Sequence, residues 1–181
     1  MYTDTDTLSY SLVPQLIVNV TDVTYPNHNL DFGGRTGAVG AVGDLMCYSN
    51  KLILPFGTTN LSTLTYFFPN LSDLEPFLPS GQSIQFTSSS PSLTPSIIDV
   101  PVTYDFITNT VTFNINTSSI VSDDSDPYYT FDYCFRIANV TNNQAGTLFN
   151  PVISLNYDSL SIGPDFPPSS TLFNIVEPDL S

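Results

Sequence analysis

The 181-residue chain has almost no positive charge. Lys51, Arg35 and Arg136 are its only cations against 17 carboxylates, for a formal net charge of −14. Three cations cannot neutralise a run of phosphates, which excludes nucleic acid as a partner. An anionic membrane surface offers such a chain no attraction. No apolar run reaches the ~18 residues of a membrane-spanning helix, so no membrane insertion is expected. Tryptophan is absent, which counts against a dedicated sugar-stacking platform. One histidine, His28, and two scattered cysteines leave no zinc cluster. There is no Gly-x-Ser-x-Gly elbow, no His-Glu-x-x-His and no phosphate-binding Gly-Lys-Ser/Thr. The expectation is therefore that the protein is not an enzyme; a carboxylate pair in a cleft is the one catalytic device the sequence leaves open. Lysine and glutamate, the usual residues of an exposed helix face, number one and two.

What is present is strand and turn chemistry. Solubility rests on 22 Ser, 21 Thr and 15 Asn, and 15 of the acids are Asp. Val, Ile, Thr, Tyr and Phe fit strands, whereas Asp, Asn, Ser, Gly and 15 prolines fit turns and break long helices. Period-two alternation marks strands at Leu16–Val20, Met46–Leu54 (interrupted by Asn50), Val111–Asn116, Tyr129–Ile137 and Ile153–Tyr157. Turns are expected at Asp31–Gly34, Gly40–Asp44, Pro55–Asn60, Pro79–Gly81, Thr108–Asn109 and Asn142–Gly146. Leu71–Leu78 has room for one short helical turn. The pattern predicts an all-β fold, an antiparallel sandwich of eight to ten short strands, with a jelly-roll as the alternative.

Met1-Tyr2-Thr3-Asp4 has neither the basic start nor the apolar stretch of a signal peptide. With an extracellular-like composition, this reads as a piece cut from a longer chain. Thr7–Leu16 can be laid over Thr171–Leu180, with Thr, Leu, Pro and Leu matching, which suggests a tandem unit of about 164 residues. The expected organisation is a linker or the end of a preceding repeat at 1–15, a β-sandwich at 16–168 and a linker toward a following repeat at 169–181.

Asp123, Asp124 and Asp126 gather three carboxylates before Pro127. Calcium wants hard oxygen ligands, and clustered carboxylates repel unless solvated or bridged by a cation. A solvated acidic loop and a calcium site both fit. Asp4 and Asp6 form a smaller cluster. Five Asn-x-Ser/Thr sequons, at Asn19, Asn60, Asn70, Asn116 and Asn139, barely exceed what this composition gives by chance.

Gly43-Asp44-Leu45-Met46-Cys47-Tyr48 resembles the Gly-Asp-x-Val-x-Tyr strand of the Ig-like repeat modules of bacterial and archaeal surface proteins. Leu78-Pro79-Ser80-Gly81 resembles their Leu-Pro-x-Gly turn, and Tyr104–Asn114 their Tyr-Asp…Thr-x-Thr-Val-Thr hairpin. Tyr129–Ile137 and Asn150–Tyr157 follow in the family's order. The Gly33–Gly43 and Asp123–Pro127 segments depart from the pattern by being longer. The resemblance implies a non-catalytic structural or adhesive module of a long extracellular surface protein. It would act as a stalk or spacer, calcium-stiffened, with neighbouring repeats or other surface or host proteins as partners. A viral capsid, spike or fibre component, with a virion location, is the alternative; a glycan- or protein-binding module is the second.

The resemblance also brings the strands of Cys47 and Cys134 together. Alternation turns both away from the aromatic faces, so an outer-face cross-strand disulfide and two free thiols both remain open. Related pilin-type modules join a strand Lys to an Asn by an isopeptide bond, which nominates Lys51 and Asn150. Alternation places Lys51 outside the expected core, where a solvated lysine is the simpler reading.

Overall fold

The computed structural model describes residues 13–22, 38–78, 81–89, 91, 93–122, 127–158, 160–163 and 172–175. Among these, the chain is nearly all strand; its one helical element is a single 3₁₀ turn at Leu71–Asp73. Eight strands of six residues or more build the body: β1 (Gln15–Asp22), β3 (Leu45–Ile53), β4 (Gly57–Phe67), β6 (Ser83–Ser88), β8 (Ile97–Asp105), β9 (Thr110–Ser122), β10 (Tyr128–Ile137) and β12 (Val152–Tyr157). Six shorter strands complete it: β2 (Ala38–Gly40), β5 (Leu74–Pro76), β7 (Leu93–Thr94), β11 (Leu148–Phe149), β13 (Leu160–Ile162) and β14 (Phe173–Ile175). The fold is an antiparallel, Ig-like β-sandwich.

One layer runs β1-β3-β10-β6-β8, the other β8-β9-β4-β12-β13. β8 belongs to both. Its first half, Ile97–Pro101, pairs with β6, and its second half, Val102–Asp105, pairs with β9. Pro101 sits at this corner, consistent with proline's place at strand irregularities. A strand that changes layers closes one side of the sandwich. Among the described residues, each layer then ends elsewhere on an edge, β1 in one and β13 in the other.

Alternation explains the core. On β10, Tyr129, Phe131, Tyr133, Phe135 and Ile137 are buried, while Thr130, Asp132 and Arg136 are exposed. Val111, Phe113 and Ile115 do the same on β9. The two inner faces meet in an aromatic cluster. Tyr48 packs edge-on to Tyr66, Phe68 and Phe135, with centroids 5.5, 5.9 and 6.3 Å apart. Phe113 meets Tyr66 at 5.4 Å and Tyr133 at 5.1 Å. Edge-to-face pairs of this kind add ~0.5–1.5 kcal/mol each beyond their buried area.

A small third sheet, β11-β14-β2, includes one parallel pair. Phe173 of β14 is fully buried, and a Cβ on Gly40 would lie 2.5 Å from its ring. Gly40 is therefore required by close approach. β14 falls within the span 169–181. The Gly43-Asp44 motif also has a physical basis. Gly43 adopts φ +94°, and the Asp44 carboxylate accepts a hydrogen bond from the Ala41 N–H at 2.7 Å. This fixes the turn that feeds β3.

The turn expected over Pro55–Asn60 is shorter than anticipated, because β4 already begins at Gly57. The expected helical turn is confined to Leu71–Asp73, and the chain continues directly into β5.

Candidate functional site

An open cleft of about 700 Å³ lies where β4, β9, β12 and β13 come together, lined by Asn60, Ser62, Asn116, Asn156, Asp158 and Leu160 among others. It originates in two interrupted strands. The β4–β9 register shifts between Thr59 and Leu61 and again between Leu61 and Thr63. Opposite, Asn116 takes φ +42°, a left-handed conformation that Asn tolerates better than most residues. The extra residues turn polar side chains outward, as β-bulges do.

The cleft walls are held by side-chain hydrogen bonds. Asn60 donates from Nδ2 to Asp158 Oδ1 at 2.7 Å, and its backbone N–H reaches the same oxygen at 3.2 Å. Asp158, itself at φ +41°, returns a backbone bond to the Asn60 carbonyl at 3.0 Å. Asn156 Nδ2 donates to Thr63 Oγ1 at 2.8 Å. Among the described residues, the lining offers amides, hydroxyls, one carboxylate and two leucines, with no aromatic ring and no cation. Such a surface can hydrogen-bond polyols or sugars.

The second polar feature is internal. Asn50, which interrupts the apolar face of β3, is buried in the core. Its Nδ2 donates to the Tyr48 carbonyl at 3.0 Å, and its Oδ1 accepts from the Tyr66 hydroxyl. Burial pushes the hydroxyl pKa values of both Tyr48 and Tyr66 upward. For Tyr66 the Asn50 bond partly opposes this; for Tyr48 its neighbour Tyr66 adds to it. This network is a neutral, polar lock between the two layers.

Cys47 and Cys134 are directly opposite each other on β3 and β10. Their sulfurs are joined, with Cα atoms 4.0 Å apart and 87 residues of sequence separation. Lys51 lies on the same outward side of β3, with its Nζ 4.0 Å from the centre of the Tyr128 ring, a cation–π contact. Asn150 is exposed and precedes β12, in the opposite layer. The structure thus gives Lys51 an aromatic partner on its own layer.

Asp123, Asp124 and Asp126, together with Asp4, Asp6, His28 and Arg35, lie outside the described residues. Among the described residues, no group of three or more His, Cys, Asp or Glu is placed to hold a metal ion. Tyr66, Phe68 and Tyr129 are fully buried, whereas Phe67 is exposed and Tyr128 half-buried. The aromatic pairs thus divide between core and rim.

Sequence reasoning missed the cleft and the role of Asn50. The cleft's signal, two adjacent sequon strands with broken alternation, was present but had no pairing partner in one dimension. Asn50 stood out as a polar residue on an apolar face.

The class defined by this architecture is an antiparallel, Ig-like β-sandwich. No family model and no curated protein matches the chain. Among solved structures it is similar to the C-terminal domain of the Streptococcus agalactiae AgI/II polypeptide BspA, with a TM-score of 0.51 and 9% identity over 89% of this chain and 50% of that one. It is also similar to the C-terminal domain of the Streptococcus pyogenes antigen I/II-family protein AspA, with a TM-score of 0.51 and 10% identity over 88% of this chain and 46% of that one. The chain spans about half the length of these structures. At such identity the likeness is one of fold.

Proposed function

We propose that the chain is a non-catalytic structural or adhesive module of a longer extracellular surface protein, serving as a stalk or spacer. The observation that supports it most is the fold-level likeness to C-terminal domains of antigen I/II polypeptides across nearly the whole chain. Three further features agree with it. The cross-strand disulfide suits an oxidising compartment. The strand β8, shared by both layers, closes one side of the sandwich. The strongly acidic surface discourages nucleic acid and membrane contact. Partners would be neighbouring repeats or other surface proteins. The viral alternative draws no support from these structural likenesses.

Calcium enters this reading as a brace held by Asp123, Asp124 and Asp126, which fall in the sequence between β9 and β10. The test has two parts. Immunolabelling of intact cells is expected to find the chain outside; labelling only after permeabilisation refutes the proposal. A thermal melt in calcium and then in excess EDTA tests the brace. Calcium at a hundredfold excess over its Kd would stabilise a native-only site by ~2.7 kcal/mol. Identical melting curves remove calcium and leave a metal-free spacer.

A further inference from the structure

Five sequons are near the number expected by chance, but their placement in the fold is selective. All five asparagines, Asn19, Asn60, Asn70, Asn116 and Asn139, are solvent-exposed. The eight other described asparagines divide differently. Asn50, Asn143 and Asn174 are buried, Asn109, Asn114 and Asn156 are half-buried, and only Asn142 and Asn150 are exposed. Along a strand, an asparagine with Ser or Thr two residues on places a polar pair on one face, so alternation favours its exposure, and the fold has all five of them exposed.

We propose that the five sequon asparagines are N-glycosylation sites in the exported protein. The chemistry is a transfer from a polyprenyl-phosphate- or polyprenyl-pyrophosphate-linked oligosaccharide. The Asn Nδ2 forms a bond to the sugar's anomeric carbon, the bond from that carbon to the phosphate oxygen breaks, the lipid phosphate leaves, and one amide proton is released to solvent. The fold must then accommodate the sugar at each position.

The geometry does so. Asn19 lies on the outward face of β1, which is an edge strand. Asn70 sits in the turn before the 3₁₀ segment, and Asn139 in the loop after β10. Asn60 and Asn116 lie within strands, where a glycan needs special room. Both fall at the irregular stretch of the β4–β9 pair, and both line the open cleft. Asn60 uses Nδ2 to reach Asp158, and an amide nitrogen carries two hydrogens, so one can be replaced by sugar while the other keeps that bond. The Ser and Thr that complete three of the sequons, Ser62, Ser72 and Thr141, are exposed as well.

Sugars here would also cover apolar surface. Leu160 is 59% exposed in the wall of the Asn60–Asn116 cleft, and Val140 is 38% exposed beside Asn139. Only 11% of residues are charged, so neutral hydration by glycans fits the way this chain stays soluble. The inference rests on the proposed function only in requiring export.

The experiment is glycopeptide sequencing by electron-transfer fragmentation on the protein taken from the surface or secreted fraction of its own cells. Sugar is expected on the five sequon asparagines and on none of the other ten. Bare asparagines on exported protein overturn the inference and leave the module reading intact; absence of the chain from that fraction refutes the module reading itself. In the same cells, Ser62→Ala and Thr141→Ala each remove the hydroxyl that completes the sequon and keep the asparagine. Each variant is expected to lose one glycan from the intact mass. Persistence of sugar at Asn60 or Asn139 would overturn the assignment.

Discussion

The paired strands β4 and β9 are two different structures along their length. From Thr63 to Phe67 they pair in unbroken register with Thr110 to Asn114, and their inward residues Leu64, Tyr66, Val111 and Phe113 are buried. From Gly57 to Leu61 the register slips, and the buried residues become Thr59 and Leu61 on one strand, Ile120 and Ser122 on the other. Buried positions are even-numbered in the first half of β4 to be compared and odd in the second; on β9 they switch from odd to even. A bulge moves every later side chain to the other face. The regular half builds the aromatic core, whereas the irregular half opens the polar cleft. One pair of strands thus supplies both rigidity and an accessible surface.

The sharpest way to break this comparison is to hollow out the regular half. Phe113→Ala removes the ring that touches Tyr66, Phe131 and Tyr133. It is expected to cost about 3–5 kcal/mol in urea-monitored stability. A loss below 1 kcal/mol would show that the aromatic cluster does not hold the layers together.

A smaller effect is expected at the polar lock. Tyr66→Phe leaves Asn50 Oδ1 buried without its donor, costing about 1–3 kcal/mol. The same residues contribute to the stability at alkaline pH. Unfolded tyrosines ionise near pH 10, whereas burial holds Tyr48 and Tyr66 protonated in the fold. Raised folded values mean that this stability is complete below pH ~10 and is lost as pH climbs beyond it. Tyrosinate absorbance should reveal a class of tyrosines that ionise only with unfolding, and Tyr66→Phe should shrink that class. Free titration of every tyrosine near pH 10 would contradict the buried network.

The irregular half should be more tolerant. Asp158→Ala deletes the acceptor for Asn60 and leaves a left-handed alanine, at a combined cost of about 1–2 kcal/mol. If instead it costs as much as Phe113→Ala, the cleft is part of the folding core, and the two halves are not distinct.

The mildest expectation concerns the β8–β9 hairpin at the regular end. Hydrogen bonds from the Thr108 side chain, the Thr108 N–H and the Ile107 N–H hold the Asp105 carboxyl below its ordinary value. A depressed folded pKa contributes stability above the unfolded value of 3.8 that is lost as pH falls through the folded one. Asp105→Asn should flatten that acid-side slope in a pH series of thermal melts; an unchanged slope would locate the acid sensitivity elsewhere.

Much of the fold was legible in one dimension where alternation runs unbroken. Tyr129–Ile137 and Val111–Ile115 declare their buried faces residue by residue, because each strand has one side in the core. β4 was not legible as a strand, because its bulges shift the phase between Leu61 and Leu64. The cleft was unreadable for the same reason. Its walls come from Asn60, Asn116 and Asp158, up to 98 residues apart along the chain, and only strand pairing brings them together.

The sequence by itself determined the all-β class, the acidic character, the turn at Gly43-Asp44 and the positions of the five sequons, since each depends on composition or on neighbours in the chain. The tertiary structure alone decided that Cys47 faces Cys134 and that Asn50 bonds to Tyr66. These are relations between strands remote in sequence. Register and layer packing fix them, and no local preference along the chain encodes either.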